Sequence, residues 1–145
     1  MERLATPHKI KIRHLFRNAG SVVGDQNLLY RAFRNLLENA IVWGSTVGKK
    51  INYRKDVSVS FSVTSINNGS VTKIVIKDNG GGMDSKALAA AREIYANPTM
   101  LGRTSLAPGF GTMIVAFVIS VHLGRVSLES KAGKGTSVCI EIPSH

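Results

Sequence analysis

Two asparagines, one aspartate and two groups of glycines hold the residue types in this chain best suited to chemistry on a ligand. Asn35 and Asn39 stand four apart in Asn35-Leu-Leu-Glu-Asn-Ala-Ile. On a helix that spacing sets both amides on one flank, a turn apart. Asn is a mediocre helix former because its amide competes for backbone hydrogen bonds, so two of them beside an apolar stripe need a reason. Taken alone they are read first as a solvated flank or as core hydrogen bonds, and only second as a ligand site. Asp78 directly precedes Asn79-Gly80-Gly81-Gly82-Met83. A carboxylate fixed there can accept from an exocyclic amine, and the glycines permit close approach to the main chain. Gly109-Phe110-Gly111 stands where a helix would begin. Free N–H groups and the helix dipole favour phosphate at such a place. Each signal is weak alone, since a triple glycine is more often a turn than a site.

The elements that must position these residues can be read from periodicity. Leu29, Phe33, Leu36 and Ala40 recur at helical spacing, with Asp25 placed as N-cap and Gly44 as C-cap, which predicts an amphipathic helix over 25–44. Lys9 to His14 alternates as a short basic edge strand. Residues 17–24 and 45–56 are read as connections. Val57, Val59, Phe61 and Val63 alternate with small polar residues as a half-buried strand. The turn signal Asn67-Asn68-Gly69 then predicts a hairpin, and its second strand, 71–77, runs into the glycines. Asp84 can cap a helix over Ser85–Tyr95. Residues 97–108, with two prolines, are read as a long loop. Thr112–His122 is apolar nearly all round, which predicts a buried helix. Strands over 125–130 and 136–142 close the chain. Antiparallel strand pairs with helices on one face predict an α+β two-layer sandwich with a mixed, mostly antiparallel sheet, in place of a doubly wound one.

Composition bounds the rest. The 145 residues suffice for one domain with a core of its own. Residues 1–8 are read as a lead-in or linker and 9–145 as the domain. One cysteine, Cys139, excludes an internal disulfide framework and a Cys-rich metal site. The apolar run Met113–Ile119 is too short to span a bilayer, so no membrane contact by this domain is expected, and a cytoplasmic location is the default. The net charge of +10 favours anionic partners without choosing among them. No aromatic residues interleave with the basic clusters, so a nucleic-acid surface is unsupported.

The order of the motifs carries more than any one of them. Asn-x-x-x-Asn, then Asp-x-Gly-x-Gly, a long loop, Gly-x-Gly before a helix, and Gly-x-Gly-Thr into the last strand resembles the GHKL ATP-binding (Bergerat) fold. Within that superfamily the chain is most similar to the catalytic ATP-binding domain of sensor histidine kinases. Asn35-Leu-Leu-Glu-Asn-Ala-Ile resembles the N box, Asp78-Asn-Gly-Gly-Gly-Met the first glycine box, and Gly109-Phe-Gly-Thr-Met-Ile-Val the second. The resemblance covers roughly residues 9–143.

The resemblance implies ATP and magnesium as ligands. Asn39 matches the asparagine whose oxygen holds magnesium, and Asn35 the one that supports it a turn earlier. Asp78 matches the adenine-reading carboxylate, with Thr136 as a water-bridging partner. Gly80, Gly82 and Met83 would flank the base; Gly109, Phe110, Gly111 and Thr112 would anchor a lid and offer N–H groups to phosphate. Trp43 stands where the family has an aromatic beside the nucleotide, and is equally well read as a core residue at the helix end. At Asn35 the gyrase and mismatch-repair type ATPases carry a glutamate that activates water. An amide cannot act as a general base at neutral pH. Glu38, one residue before Asn39, points to another face. Phosphoryl transfer to a positioned nucleophile is therefore favoured over hydrolysis.

The chain also departs from the pattern. Val42 occupies a place where many relatives have a phosphate-reaching cation, and Arg103 in the loop is the candidate replacement. The phenylalanine-rich segment expected after Met83 is reduced to Ile94-Tyr95, and Thr112-Met113 alters the second glycine box. His8, His14, His122 and His145 lack the family's phosphoacceptor context, and His122 is read as helix-end packing. The expected partners are therefore a histidine-bearing dimerisation domain of the parent kinase and a response regulator. The isolated domain is expected to be monomeric, and membrane anchoring of the parent protein is left open. The competing functions are a stand-alone regulator similar to anti-sigma-factor serine kinases, which usually carry glutamate at the place of Asn35, and a catalytically weak nucleotide sensor.

Overall fold

The computed structural model describes residues 11–17, 21–44, 46–47, 50–51, 58–97 and 110–144. In chain order these form β1 (Lys11–Arg17), α1 (Gln26–Gly44), β2 (Thr46–Val47), β3 (Lys50–Ile51), β4 (Ser58–Ile66), a 3-10 turn (Asn67–Gly69) and β5 (Val71–Asp78). Then follow α2 (Ser85–Ala96), α3 (Phe110–Val121), β6 (Arg125–Lys131) and β7 (Gly135–Pro143). The predicted lead-in, 1–8, lies outside the described residues.

The main sheet has five strands in the order β1-β4-β5-β7-β6. Only β1 runs parallel to its neighbour; the β4–β5, β5–β7 and β6–β7 pairs are antiparallel. A parallel pair needs a long crossover, and α1 lies within the one that joins β1 to β4. The sheet is therefore mixed and mostly antiparallel, as the strand pattern predicts. Two details differ. The edge strand continues to Arg17, because the parallel ladder extends as far as Thr64 on β4. The stretch read as a connection after α1 contains a short antiparallel ladder, β2 with β3.

Alternation decides which side of the sheet is dry. Val59 on β4, Ile74 and Ile76 on β5, and Ile140 and Ile142 on β7 share one face and are buried. Against them pack Ala32, Leu36, Ala40 and Ile41 of α1 and Val115, Val118 and Ile119 of α3. Each such Ile or Val contributes roughly 1.5–3 kcal/mol of burial free energy. The result is two layers, helices on one face of one sheet.

The buried seam of α1 runs through Ala32, Leu36 and Ala40, while Leu29 and Phe33 of the predicted stripe are only half-buried. This rotation leaves Asn35 and Asn39 directly beside the seam, both half-buried. Helix α3 is buried at Met113, Val115, Ala116, Val118 and Ile119, but Phe117 and Val121 are 40% and 52% exposed. Its uniform apolarity thus overstates its burial. Asp25 and Asp84 act as the predicted N-caps, accepting from Leu28 N at 2.9 Å and Ala87 N at 2.7 Å. Cys139 is a free, half-buried thiol. Among the described residues no helix is long and apolar enough to cross a membrane.

Candidate functional site

Helix α1 lies over β4 and β5 and against α3, and Asn35 faces the start of α3. The Asn35 amide N–H donates to the Arg31 carbonyl at 3.0 Å. Only the NH2 end can donate to a carbonyl, so Oδ1 is the end turned to α3. A methyl group added at Gly111 would lie 3.4 Å from that oxygen. The asparagine motif and the second glycine box therefore meet. The side chain of Asn39, one turn along α1, makes no hydrogen bond to any described residue, so its amide oxygen is available to a ligand. Glu38 is engaged with Arg34 at 2.6 Å, which matches its predicted position on another face.

The second cluster gathers at the ends of β5, β6 and β7. Asp78 is 5% exposed. Its Oδ1 accepts from Gly80 N at 2.9 Å, and the carboxylate also accepts from the Thr136 N–H. Burial pushes its pKa up from the ordinary carboxylate value, and these two N–H groups oppose that shift. Asn79 ties the same loop to β4: its Oδ1 accepts from Ser58 N at 2.7 Å.

Gly82 has φ +67°. A Cβ there would overlap the Lys131 carbonyl oxygen and lie 2.7 Å from its carbon. The glycine is thus required first by the neighbouring hairpin, in addition to any ligand. The loop is bound to that hairpin further on: Gly133 N donates to Gly81 O at 2.7 Å, and Met83 N donates to Ser130 Oγ at 2.8 Å. Ser130 Oγ also lies 2.8 Å from Thr136 Oγ1.

Among the remaining predicted residues, Phe110 and Thr112 fall in the first turn of α3 and Trp43 in the last turn of α1. The Thr112 hydroxyl hydrogen-bonds the Tyr95 phenol, whose pKa burial pushes up to about 12. That bond joins α2 to the start of α3. Arg103 and Gly109 lie outside the described residues. His122 does serve helix-end packing: its Nδ1–H donates to Val118 O at 2.7 Å and its Nε2 accepts from Asp25 N at 3.0 Å.

The family model for histidine kinase-, DNA gyrase B- and HSP90-like ATPases matches residues 24–145, a span that takes in both clusters. The chain belongs to this family. The chain is 28% identical over 120 residues to the heme sensor protein HssS of Staphylococcus saprophyticus, covering 83% of this chain and 23% of that protein. It superimposes on the mycobacterial sensor histidine kinase MprB with a TM-score of 0.71 at 22% identity, covering 99% of this chain and 89% of that one. For full-length ShkA in complex with AMPPNP the TM-score is 0.73 at 20% identity, covering 99% and 27%. These structures establish the fold.

Ser130 belongs to none of the sequence motifs. It shares the helix-facing side of β6 with Val126 and Leu128, and the signal was a hydroxyl on that otherwise apolar face. Tyr95 was noted only as the remnant of an aromatic segment.

Proposed function

We propose that this domain binds magnesium-ATP between α1, the Asp78 loop and α3, and transfers the γ-phosphoryl group to a histidine on a separate dimerisation domain of a sensor histidine kinase. A response regulator would then receive the group. The observation that carries the reading is Asn35: an amide, fixed by Arg31 O and turned to Gly111, where water-activating relatives carry an acid. Without a general base at that place water is not activated, and a nucleophile must be brought in already competent. The name of one structural neighbour supports the same ligand class: full-length ShkA is in complex with AMPPNP, an ATP analogue.

The residues divide the work. Asp78 accepts from the adenine amine with the oxygen that Gly80 leaves unused. Thr136 stands across from it on β7. The first turn of α3 offers N–H groups to phosphate. The divalent-cation site fits the donors present: a half-buried amide oxygen on Asn39 without a protein partner among the described residues. No cluster of three or more His, Cys, Asp or Glu exists among them, so a bound ion must draw its charge neutralisation from the triphosphate. Magnesium, when bound there, supplies charge neutralisation to the phosphates.

Titration with magnesium-ATP tests the reading, repeated with Asn39→Ala and Asp78→Asn. Absence of binding by the unaltered domain would sink it. Incubation with labelled ATP and candidate dimerisation domains then tests transfer: acid-labile label on histidine is expected, and acid-stable label on serine would replace this reading with an anti-sigma-like regulator.

A further inference from the structure

A single row of register positions crosses the helix-facing side of the sheet: Asp78 on β5 opposite Thr136 on β7, and Thr136 opposite Ser130 on β6. Ser130 makes no hydrogen bond to Asp78, yet its hydroxyl is the most heavily engaged of the three side chains. Its oxygen lies 2.8 Å from Met83 N, 3.0 Å from Gly135 O and 2.8 Å from Thr136 Oγ1. A serine hydroxyl has one hydrogen and two acceptor positions. Met83 N–H can only donate and the Gly135 carbonyl can only accept. The Ser130 hydrogen therefore goes to Gly135 O, and Thr136 must donate its own hydrogen to Ser130.

Once that hydrogen is committed, Thr136 has only lone pairs left to present beside Asp78, itself an acceptor. A water held between two acceptors spends both hydrogens on them and offers only its oxygen to the base. Such an edge accepts from a 6-amino purine and has nothing to donate to a 6-oxo purine. We infer that Ser130 is a positioning residue which locks the Thr136 hydroxyl as an acceptor and so strengthens selection of adenine over hypoxanthine or guanine. The inference rests on the proposed reading of Asp78 as the adenine-binding carboxylate. It assigns a further residue to discrimination, placed one strand beyond the base contact.

The test is the ratio of affinities for magnesium-ATP and magnesium-inosine triphosphate, measured by calorimetry on the full chain. These nucleotides differ at the 6-position, so a purely structural lesion weakens both alike and leaves the ratio unmoved. Ser130→Ala frees the Thr136 hydrogen to turn toward the base. The preference for ATP should fall about fivefold, the worth of one ordinary hydrogen bond, and Ser130→Thr should restore it. Thr136→Val removes the same acceptor while keeping the Ser130 bonds to Met83 and Gly135, and should lower the preference to a similar extent; it decides the matter if Ser130→Ala does not fold. An unchanged ratio in either folded variant, with ATP binding still lost in Asp78→Asn, overturns the role of Ser130 alone. ATP affinity unaffected by Asp78→Asn overturns the adenine reading itself, and this inference with it.

Discussion

Gly82 and Gly133 offer a controlled pair for separating backbone strain from collision. Both have positive φ, +67° and +81°. A Cβ at Gly133 would meet nothing within 4 Å, whereas one at Gly82 would run into the Lys131 carbonyl. Gly133→Ala therefore carries the left-handed conformational cost alone, about 1–2 kcal/mol. Gly82→Ala carries the same strain and also pushes the loop off the hairpin. That displacement breaks the Gly133–Gly81 and Met83–Ser130 hydrogen bonds, at 2.7 and 2.8 Å. Each contributes about 1 kcal/mol net, so Gly82→Ala should destabilise by about 3–4 kcal/mol in all. Near the midpoint of a domain of this size that is a fall in Tm of roughly 6–16 °C, against roughly 2–8 °C for Gly133→Ala. Urea unfolding of both variants beside the parent protein measures the difference directly. Since the displaced loop carries Met83 and begins directly after Asp78, Gly82→Ala should also weaken ATP binding. Equal destabilisation by the two substitutions would refute the reasoning, because it would mean that the contact with Lys131 constrains nothing.

Other consequences follow from single groups. Asp78→Asn should abolish nucleotide binding without loss of stability, because the parent carboxylate is buried and its pKa is raised. A raised folded pKa means that the folded state holds the proton more tightly, so stability falls as pH rises from the unfolded value, about 3.9, through the folded one. Unfolding measured across that window should show this slope in the parent protein and not in Asp78→Asn. Asn39→Ala should eliminate magnesium-dependent ATP binding and change stability by less than about 0.5 kcal/mol, since the amide is half-exposed and holds no described protein partner; a large loss of stability, read by urea unfolding, would contradict that. Ultraviolet titration should find a tyrosine ionising at about 12, and Tyr95→Phe should remove it. As that pKa is raised, Tyr95 lends stability to the neutral form that fades as pH climbs from the unfolded value, about 10, toward 12.

The sequence made some elements plain because local chemistry alone determines them. Asp84 caps α2 through a contact three residues away, and the β4–β5 hairpin turns where Asn67, Asn68 and Gly69 all take positive φ. Motif order singled out the candidate site, since Asn35 and Gly111 meet only through tertiary packing. What escaped was set by distant neighbours. The seam of α1 passes through Ala32 because α3 and β5 choose which side of α1 is covered. The extent of β1 follows its ladder with β4, not its own alternation. The motif points to ligand approach at Gly82, whereas its close neighbour is Lys131, 49 positions along the chain. Ser130 carried no motif, as its significance depends on cross-strand register with Thr136.

The imidazole of His122 has a consequence for the order in which the domain assembles. It joins the entry of α1 to the exit of α3 across 97 residues of chain. A contact of such sequence separation carries a high loop-closure cost unless the intervening strands and helices have come together, and on a ribosome it waits until α3 has emerged. The asparagine helix is therefore synthesised early but given its final bearing late. Alignment of the two halves of the site becomes one of the last events of folding, and a chain cut short before His122 would hold both asparagines without the bond that fixes their helix against α3.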